Sequence, residues 1–350
     1  MQYITGKNIS TLLLLLVLTG MWLTACTNDN DDVVQGAGNP LQVADVTRSG
    51  ESVFTDAADY SPLRLLLYDE TEEEVKNGLF VYTEGGWRSG INVTNGTDYR
   101  IYGFAPSTAS NSFSIGAIFP TSATLLINNL AVITTNDVCV VTGVQQVSEK
   151  TDTKDIVRGQ FAFTGREKDH NFVNLQLDHL YAAMQFTFKV TPTYNDLRTI
   201  KVKNMVLKTA SKTSAYHTLG NVVAVLSDNS ADPLNTTWTF YPTTTALSLP
   251  IYQSETPLEL TETDSEAFGQ VCYVPHATVL SELVLETTYD IYDKQGNLIR
   301  PDQTATNQLT DVLGGNDRGQ LVTLHLTVKP TYLYVLSDPD LDNPTMEIDN

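Results

Sequence analysis

Basic residues are scarce in this chain of 350 residues. It has 21 Lys and Arg residues against 41 Asp and Glu residues, which gives a formal net charge of -20 and a pI near 4.4. Nucleic acids and anionic membrane surfaces both attract clustered Lys and Arg. The composition therefore argues against nucleic acid and anionic lipid surfaces as partners, and it suits a soluble extracellular surface.

Cysteine is also scarce, with three residues in the whole chain. Cys139 and Cys272 lie far apart, each within an apolar stretch typical of a strand. They could pair in an oxidising compartment, or they could be free thiols in a core, and the sequence leaves both alternatives open. No cysteine spacing resembles a metal site or a redox Cys-x-x-Cys pair.

Motifs of catalysis are absent from the sequence. No histidine has a partner at helical spacing, and there is no Gly-x-Ser-x-Gly and no phosphate-binding loop. Asp338, Asp340 and Asp342 have the spacing of a calcium loop. Such a loop also needs a glycine and a glutamate, where this chain has Asn343 and Asp349. We predict no catalytic residue, no metal and no cofactor, and we interpret the C-terminal residues as a solvated acidic tail.

The N-terminus has the features of an export signal. Lys7 precedes the apolar run Leu12–Leu18, and the segment ends in Leu23-Thr24-Ala25-Cys26. The apolar run is shorter than the roughly 20 residues of a transmembrane helix. Leu-Thr-Ala-Cys resembles the lipobox of bacterial lipoproteins, which implies that residues 1–25 are removed and that lipid on Cys26 anchors the chain in the outer membrane. The alternative is an ordinary secretory signal with an unrelated cysteine.

A short acidic segment, Thr27–Asp32, follows the lipidation site. Such a segment is typical of disordered, solvated chain. At this position it resembles the surface-export signal of lipoproteins of the Bacteroidetes type, which implies exposure on the cell surface. The alternative is a plain solvated tether.

No long amphipathic helix is evident, and the rest of the chain has the pattern of strands. Short runs rich in Thr, Val, Tyr and Phe are bounded by Gly, Pro, Asn and Asp. In Leu321–Val328 apolar and polar residues alternate cleanly. Many short strands with frequent turns predict an all-β protein built of sandwiches.

One predicted strand, Phe172–Val190, is unusually long, and its apolar residues change parity midway. Leu175 and Leu177 face one way, whereas Met184 and the apolar residues after it face the other. A β-bulge or bend near His179 would restore one buried face, and the histidine could hydrogen-bond the bulged backbone there. The charged segment before this strand is the predicted domain boundary. It separates an N-terminal sandwich, residues 49–168, from a C-terminal sandwich with a final strand and acidic tail, residues 169–350.

Three segments carry a resemblance to a known family: Leu175–Phe186, Tyr102–Pro106 and Val328–Leu336. Their composition, order and spacing resemble the fimbrillin superfamily, whose members are subunits of Bacteroidetes type V pili. The resemblance implies two tandem transthyretin-like β-sandwiches after a lipoprotein signal peptide. It also implies other pilus subunits as partners, a location in the fimbrium, and possible adhesion to host, bacterial or glycan receptors.

The same resemblance implies assembly by strand exchange. In that family an arginine-specific protease removes the N-terminal segment with its first strand, and a strand of the next subunit enters the groove. Arg48 is the only basic residue between Cys26 and Arg64, so the expected cut lies between Arg48 and Ser49. Residues 26–48 would then comprise the tether and a removable strand around 41–46. The alternative is that Arg48 is an ordinary loop residue.

The C-terminal run Tyr332-Leu333-Tyr334-Val335-Leu336 is a candidate donor strand, or else the last strand of its own sandwich. The polar tail after it is shorter than the extension expected of a stalk subunit. This favours a tip, accessory or anchor subunit, and an anchor would keep its lipid. Two other hypotheses remain open: a surface glycan-binding lipoprotein of a polysaccharide-uptake system, and a lipoprotein enzyme such as a glycosidase, which has little support.

Overall fold

The structure is a computed structural model that describes residues 38–48, 57–84, 86–107, 112–152, 155–210, 215–275, 283–309, 317–332 and 339–349. All of them fall in the compact unit Gln35–Asn350. The predicted signal peptide, the lipidation site and the acidic tether lie outside the described residues. In the part of the chain that is described, no helix is long and apolar enough to cross a membrane.

Strands account for 67% of the described residues and helices for 2%, so the all-β prediction is confirmed. The strands that precede residue 180 are β1 (Asn39–Pro40), β2 (Gln42–Arg48), β3 (Leu63–Asp69), β4 (Val75–Thr83), β5 (Gly86–Ser89), β6 (Asn92–Val93), β7 (Asp98–Ala105), β8 (Ser112–Phe119), β9 (Ser122–Ala131), β10 (Cys139–Val147), β11 (Ala162–Thr164) and β12 (Phe172–His179).

The later strands are β13 (Tyr181–Val190), β14 (Thr199–Thr209), β15 (Tyr216–Ser227), β16 (Leu234–Thr243), β17 (Ser248–Glu259), β18 (Phe268–Pro275), β19 (Leu283–Tyr292), β20 (Leu298–Gln308), β21 (Leu321–Tyr332) and β22 (Pro339–Asp349). A 3-10 turn at Ala57–Tyr60 and the short helix α1 at Pro192–Asn195 are the helical segments of the described chain.

The largest sheet is built mainly from the first half of the chain. Its strand order is β2-β12-β10-β7-β3-β4-β5, with β11 paired to β7. The two end strands, β2 and β5, contact each other, so the sheet curls into a nearly closed barrel. The alternating residues of β3, β7, β10 and β12 that point inward fill one buried cluster, which we call the N-terminal core.

Two four-stranded sheets from the second half of the chain form a sandwich. Their strand orders are β18-β13-β21-β22 and β17-β14-β19-β20. Met184, Phe186 and Phe188 of β13 pack in one cluster with Val202 and Leu207 of β14. We call this cluster the C-terminal core.

A fourth large sheet has the order β16-β15-β9-β8. It joins a hairpin from residues 112–131 to a hairpin from residues 216–243, and its inner face packs on a third buried cluster. The sheet therefore combines strands from both sides of the boundary expected at residue 168. β12, which follows that boundary, pairs with β2 and β10, which precede it. The division into residues 49–168 and 169–350 stays a prediction.

The parity change in Phe172–Val190 corresponds to a real break. β12 ends at His179, Leu180 is a bend, and β13 begins at Tyr181 in a different sheet. Leu175 and Leu177 enter the N-terminal core, whereas Met184 and its even-numbered neighbours enter the C-terminal core. The apolar phase shifts because the chain passes from one core to the other.

The C-terminal residues differ from the predicted solvated tail. They form β22, which pairs antiparallel with β21 from Tyr332↔Pro339 to His325↔Asp349. Met346 is 6% exposed and lies in the C-terminal core, and the Asn307 side-chain amide donates to its carbonyl at 2.6 Å. The strand was missed because its acidic composition is typical of a solvated tail. The pattern that indicates a strand is the alternation of Met346 and Ile348 with polar residues.

Candidate functional site: the N-terminal edge strand

The strand predicted to be removable exists as β2, at one end of the large sheet. It pairs with β12 in parallel, from Phe172↔Gln42 to Leu177↔Arg48, whereas the other strand pairs of this sheet are antiparallel. The register shifts at Ala44, where β2 has one extra residue. β2 thus combines an edge position with the less stable type of pairing.

Side chains of the N-terminal segment complete the N-terminal core. Leu41 and Val43 are 1% and 2% exposed, and Val46 packs against the same cluster. Asp45 and Thr47 point outward and are exposed. Because β2 lies between β12 and β5, it fills the gap that would otherwise open the barrel into a groove.

Backbone hydrogen bonds fix the start of this segment. The Leu41 amide donates to the Ile91 carbonyl at 2.9 Å, and the Gln42 amide donates to the Asn171 carbonyl at 2.8 Å. β1 adds a two-residue antiparallel pair with β6. Near the other end, the Thr47 hydroxyl donates to the side-chain carbonyl of Gln176 at 3.0 Å. The segment is therefore attached along its whole described length.

Arg48 is the last residue of β2 and is half-buried. Its guanidinium donates a hydrogen bond to the Tyr60 hydroxyl and lies over the Tyr60 ring, 5.5 Å from the centroid. A loop position was the alternative expected for Arg48, and the structure instead holds Arg48 in the strand. Ser49, the other residue of the expected cleavage site, lies outside the described residues. The partner Tyr60 was not identified from the sequence.

The candidate donor strand is described only in part. Tyr332 is the last residue of β21, and Leu333, Tyr334, Val335 and Leu336 lie outside the described residues. β21 pairs in parallel with β13, and β22 covers its other side. In this structure β21 is thus an inner strand of its own sheet.

A buried polar cluster lies where β10 and β12 meet. The His179 Nδ1–H donates to the Asp137 carboxylate at 2.8 Å, and the Cys139 Sγ lies 3.5 Å from the same nitrogen. The three side chains are at most 3% exposed. We expected His179 to bond bulged backbone groups, and it bonds a carboxylate instead, since the bend brings Asp137 beside it. The spacing of Asp137 and His179 in the sequence does not predict that they are bonded.

This cluster does not have the geometry of a nucleophilic site. Burial, and then the neighbouring Asp137 carboxylate, raise the pKa of the Cys139 thiol well above its usual value, so the thiol is protonated at neutral pH. In a catalytic triad the histidine contacts the nucleophile through one ring nitrogen and the carboxylate through the other. Here the Nδ1 atom of His179 faces both the thiol and the carboxylate, so this arrangement is not formed. Asp137, Cys139 and His179 could also offer three metal ligands within 4.8 Å of one another. The hydrogen bond at 2.8 Å accounts for the arrangement without an ion.

The two alternatives for Cys139 and Cys272 are resolved in favour of free thiols. Both are fully buried and unpaired. Cys139 lies in the N-terminal core and Cys272 in the C-terminal core. Burial raises the pKa of Cys272 to about 12.

A cavity of about 380 Å³ lies beside the charged residues Glu70, Arg100 and Asp228. The Arg100 side chain is 8% exposed, and its guanidinium is bonded to both carboxylate oxygens of Asp228. It also donates to the Pro120 carbonyl at 3.4 Å. The arginine charge is thus used to join the large sheet to the turns of the fourth sheet, and among the described residues that line the cavity Arg100 is the one cationic side chain.

Comparisons with known proteins give matches among solved structures. No family model and no curated protein matches the chain. A fimbrial protein from Bacteroides vulgatus matches with 13% identity and a TM-score of 0.43, over 87% of this chain and 97% of that chain. A candidate cell adhesion protein from Bacteroides ovatus matches with 11% identity and a TM-score of 0.39, over 90% of this chain and 97% of that chain.

A third match is a candidate polysaccharide-binding protein from Bacteroides thetaiotaomicron, with 13% identity and a TM-score of 0.33, over 82% of this chain and 90% of that chain. Two of these three structures are thus named as fimbrial or cell adhesion proteins of Bacteroides, and the third as a polysaccharide-binding protein. Identities and TM-scores this low carry no argument about function, which has to be argued from the residues of the chain itself.

Proposed function

We propose that this chain is a non-enzymatic, fimbrillin-like subunit of a cell-surface fimbrium that assembles by β-strand exchange. A protease would cut after Arg48, β2 would leave the barrel, and a strand of a second subunit would enter the groove between β12 and β5. The observation that carries the proposal is that the segment ending at Arg48 is an edge strand whose side chains fill the core.

Release of β2 would create a site with two kinds of affinity. The edge of β12 would expose backbone N–H and C=O groups that a new strand can satisfy, since an exposed edge is a template for pairing. The positions of Leu41 and Val43 would become apolar pockets. Filling both pockets would contribute about 3–6 kcal/mol, at about 1.5–3 kcal/mol for each buried aliphatic side chain.

Cleavage would require local opening of the strand end. A protease binds an extended segment, and the Arg48 side chain is engaged with Tyr60 in the closed barrel. The ends of edge strands open with a lower free energy than the core does. The Arg48–Tyr60 contact therefore sets how often the bond between Arg48 and Ser49 is available.

The remaining features of the proposal follow from the N-terminal sequence and the C-terminal strands. The lipobox supports export as a lipoprotein, with palmitate or a related acyl chain on Cys26 and location at the outer membrane. The place of β21 within its own sheet supports a tip, accessory or anchor subunit over a stalk subunit. Partners would be other pilus subunits, and a host, bacterial or glycan receptor would account for adhesion.

The test uses residues 27–350, treated with an arginine-specific protease and analysed by mass spectrometry and by light scattering on a sizing column. We expect a new N-terminus at Ser49, loss of the N-terminal fragment and the appearance of oligomers. Arg48→Lys should prevent all three, because it keeps the charge but removes the protease's residue. Arg64→Lys is the matched control and should change nothing.

Two results would contradict the proposal. One is a cleaved chain that releases β2 and stays monomeric. The other is an Arg48→Lys variant that, under the same treatment and at the same protein concentration, forms the same oligomers as the cleaved wild-type chain. Intact native protein with lipid on Cys26 and no cut at Arg48 would instead favour an anchor subunit or a glycan-binding lipoprotein, which pull-downs with pilins and polysaccharides would separate.

A further inference from the structure

The fourth sheet, made of β8, β9, β15 and β16, differs from the rest of the molecule in charge, and we call it the neutral sheet. Not one residue of these four strands is Asp, Glu, Lys or Arg, although charged residues make up 18% of the chain. By contrast, β14 alone carries Lys201, Lys203 and Lys208. In a chain with a net charge of -20, a whole sheet without charge is a distinct surface.

Within the described chain, the neutral sheet packs on the rest of the molecule by one face. Ala123, Leu125 and Ile127 of β9 are fully buried in the third cluster, and the residues between them are half-buried on the opposite face. Two cross-strand rows form the centre of this outer face: Ser114, Leu126, Val223 and Thr237 in one, and Ala117, Thr124, Val225 and Asn235 in the other. The centre is aliphatic, and the flanks are hydroxyls and amides.

The edges of the neutral sheet are uncharged too. Among the described strands, β8 and β16 each pair on one side only. Soluble proteins usually protect such edges with charged side chains. Here β16 presents Asn235, Thr237 and Thr239, together with Tyr241, which is 47% exposed.

We propose that the outer face of the neutral sheet is a self-association surface that binds a second copy of this chain. Two molecules with a charge of -20 repel each other, and a contact through this face brings no like charges together. An aliphatic centre with an uncharged polar rim is the usual anatomy of a protein interface. Two aliphatic strips of Leu126, Val223 and Val225 are complementary to each other without any further partner.

The size of the face sets the strength of this contact. Four strands about 4.8 Å apart and about 30 Å long present about 570 Å² per molecule. A pair would bury about 1,100 Å² in total, at the lower end of specific interfaces, so association should be reversible and dependent on concentration. The proposal does not rest on strand exchange, because β2 belongs to a different sheet.

The test is sedimentation velocity of residues 27–350 over a range of concentrations up to about 1 mM, the weak end of measurable affinities. Thr237→Glu and Thr237→Lys place opposite charges on an exposed position of β16. Each should raise the dissociation constant at least about tenfold, since either charge would be desolvated and would face its own copy. Thr306→Glu and Thr306→Lys are matched controls, because Thr306 is an exposed threonine on β20, the edge strand of another sheet.

Several results would overturn the proposal. A wild-type chain that stays monomeric at every concentration is one. Opposite effects of the two Thr237 substitutions would show association driven by net charge. Thr306 substitutions that weaken association as much as the Thr237 substitutions would show that the neutral sheet is not the contact surface. A monomeric chain that binds dextran through a Thr237-sensitive site would assign the face to a neutral glycan instead. Thermal unfolding of each variant confirms that it is folded, and Val223→Thr supplies a second, uncharged variant that should also weaken association.

Discussion

Two strands near opposite ends of the chain, β2 and β22, each form the edge of a sheet. They differ in how far along the chain their pairing partner lies. β22 follows its neighbour β21 closely, so that Tyr332 pairs with Pro339. β2 pairs with a strand far along the chain, since Thr47 and its hydrogen-bond partner Leu175 are 128 positions apart. β2 pairs in parallel and β22 in antiparallel fashion.

This difference determines which strand can be exchanged. β22 is tethered by a short connection, and its high effective concentration brings it back whenever it opens. β2 is connected to the barrel only through the residues after Arg48, so one cut in that connection leaves it held by non-covalent contacts alone. An edge strand that completes a core but can be separated by one cleavage suits assembly, whereas β22 suits permanent closure.

The largest expected effect comes from removing each strand in turn. Residues 49–350 should unfold with a free energy about 4–7 kcal/mol lower than residues 27–350, from the burial of Leu41 and Val43 and the lost ladder. A synthetic peptide of residues 38–48 should restore most of this stability. Urea unfolding monitored by intrinsic fluorescence measures both changes.

Truncation after residue 338, which removes β22, is the counterpart. It should lower the free energy of unfolding by less, about 2–4 kcal/mol, because Met346 is the one described side chain of β22 that lies in the C-terminal core. The loss should appear in unfolding of the C-terminal sandwich. Failure of the 38–48 peptide to rescue residues 49–350 would remove the distinction between the two strands.

The two buried thiols report on the two cores separately. Residues 27–350 lack Cys26 and keep Cys139 and Cys272. Both of these thiols should resist labelling by a maleimide reagent, because both are fully buried. Removal of residues 27–48 should speed labelling of Cys139 by about tenfold or more, as an opening cost lowered by about 1.4 kcal/mol already gives that factor. Cys272 is the internal control. Equal acceleration of both thiols would mean that loss of β2 loosens the whole molecule.

The sequence was informative where its pattern records burial. The parity change around Asp178–Ala183 located the break between β12 and β13, and the alternation in residues 41–46 located most of β2. The sequence was silent where partners come from distant segments. The joining of β9 to β15 depends on which uncharged strands meet, and the Asp137–His179 bond depends on how the bend at Leu180 is placed. β22 was missed because its acidic residues hid the alternation at Met346.

Alkaline pH should weaken the fold, and the effect should depend on β2. Burial raises the pKa of Cys272 to about 12 and that of Cys139 well above its usual value. Thiols in the unfolded chain ionise near pH 8.5. The free energy of unfolding therefore falls as the pH rises. The contribution of each buried thiol is fully present below about pH 8.5. Above that pH it is lost at about 1.4 kcal/mol per pH unit, until the pKa of the thiol in the folded protein is reached.

Urea unfolding at pH 8, 9 and 10 measures this slope. In residues 27–350, Cys272→Ala and Cys139→Ala should each reduce this slope by about the contribution of one buried thiol. In residues 49–350, Cys139→Ala should have a smaller influence on the slope, because the N-terminal core is open and its thiol is more hydrated. A Cys139 share that is unchanged by the loss of β2 would show that this core stays closed without the strand.

The smallest expected effect tests the contact that holds the end of β2. Tyr60→Phe removes the hydrogen bond to Arg48 while it keeps an aromatic ring beneath the guanidinium. It should cost about 0.5–1.5 kcal/mol and raise the rate of cleavage after Arg48 by about two- to tenfold. Tyr99→Phe is a matched control, since its hydroxyl accepts from the Thr94 amide at 3.0 Å and from Lys76 at 3.3 Å, away from Arg48. If both variants change cleavage equally, the rate reports general stability, and the Arg48–Tyr60 contact does not control release of β2.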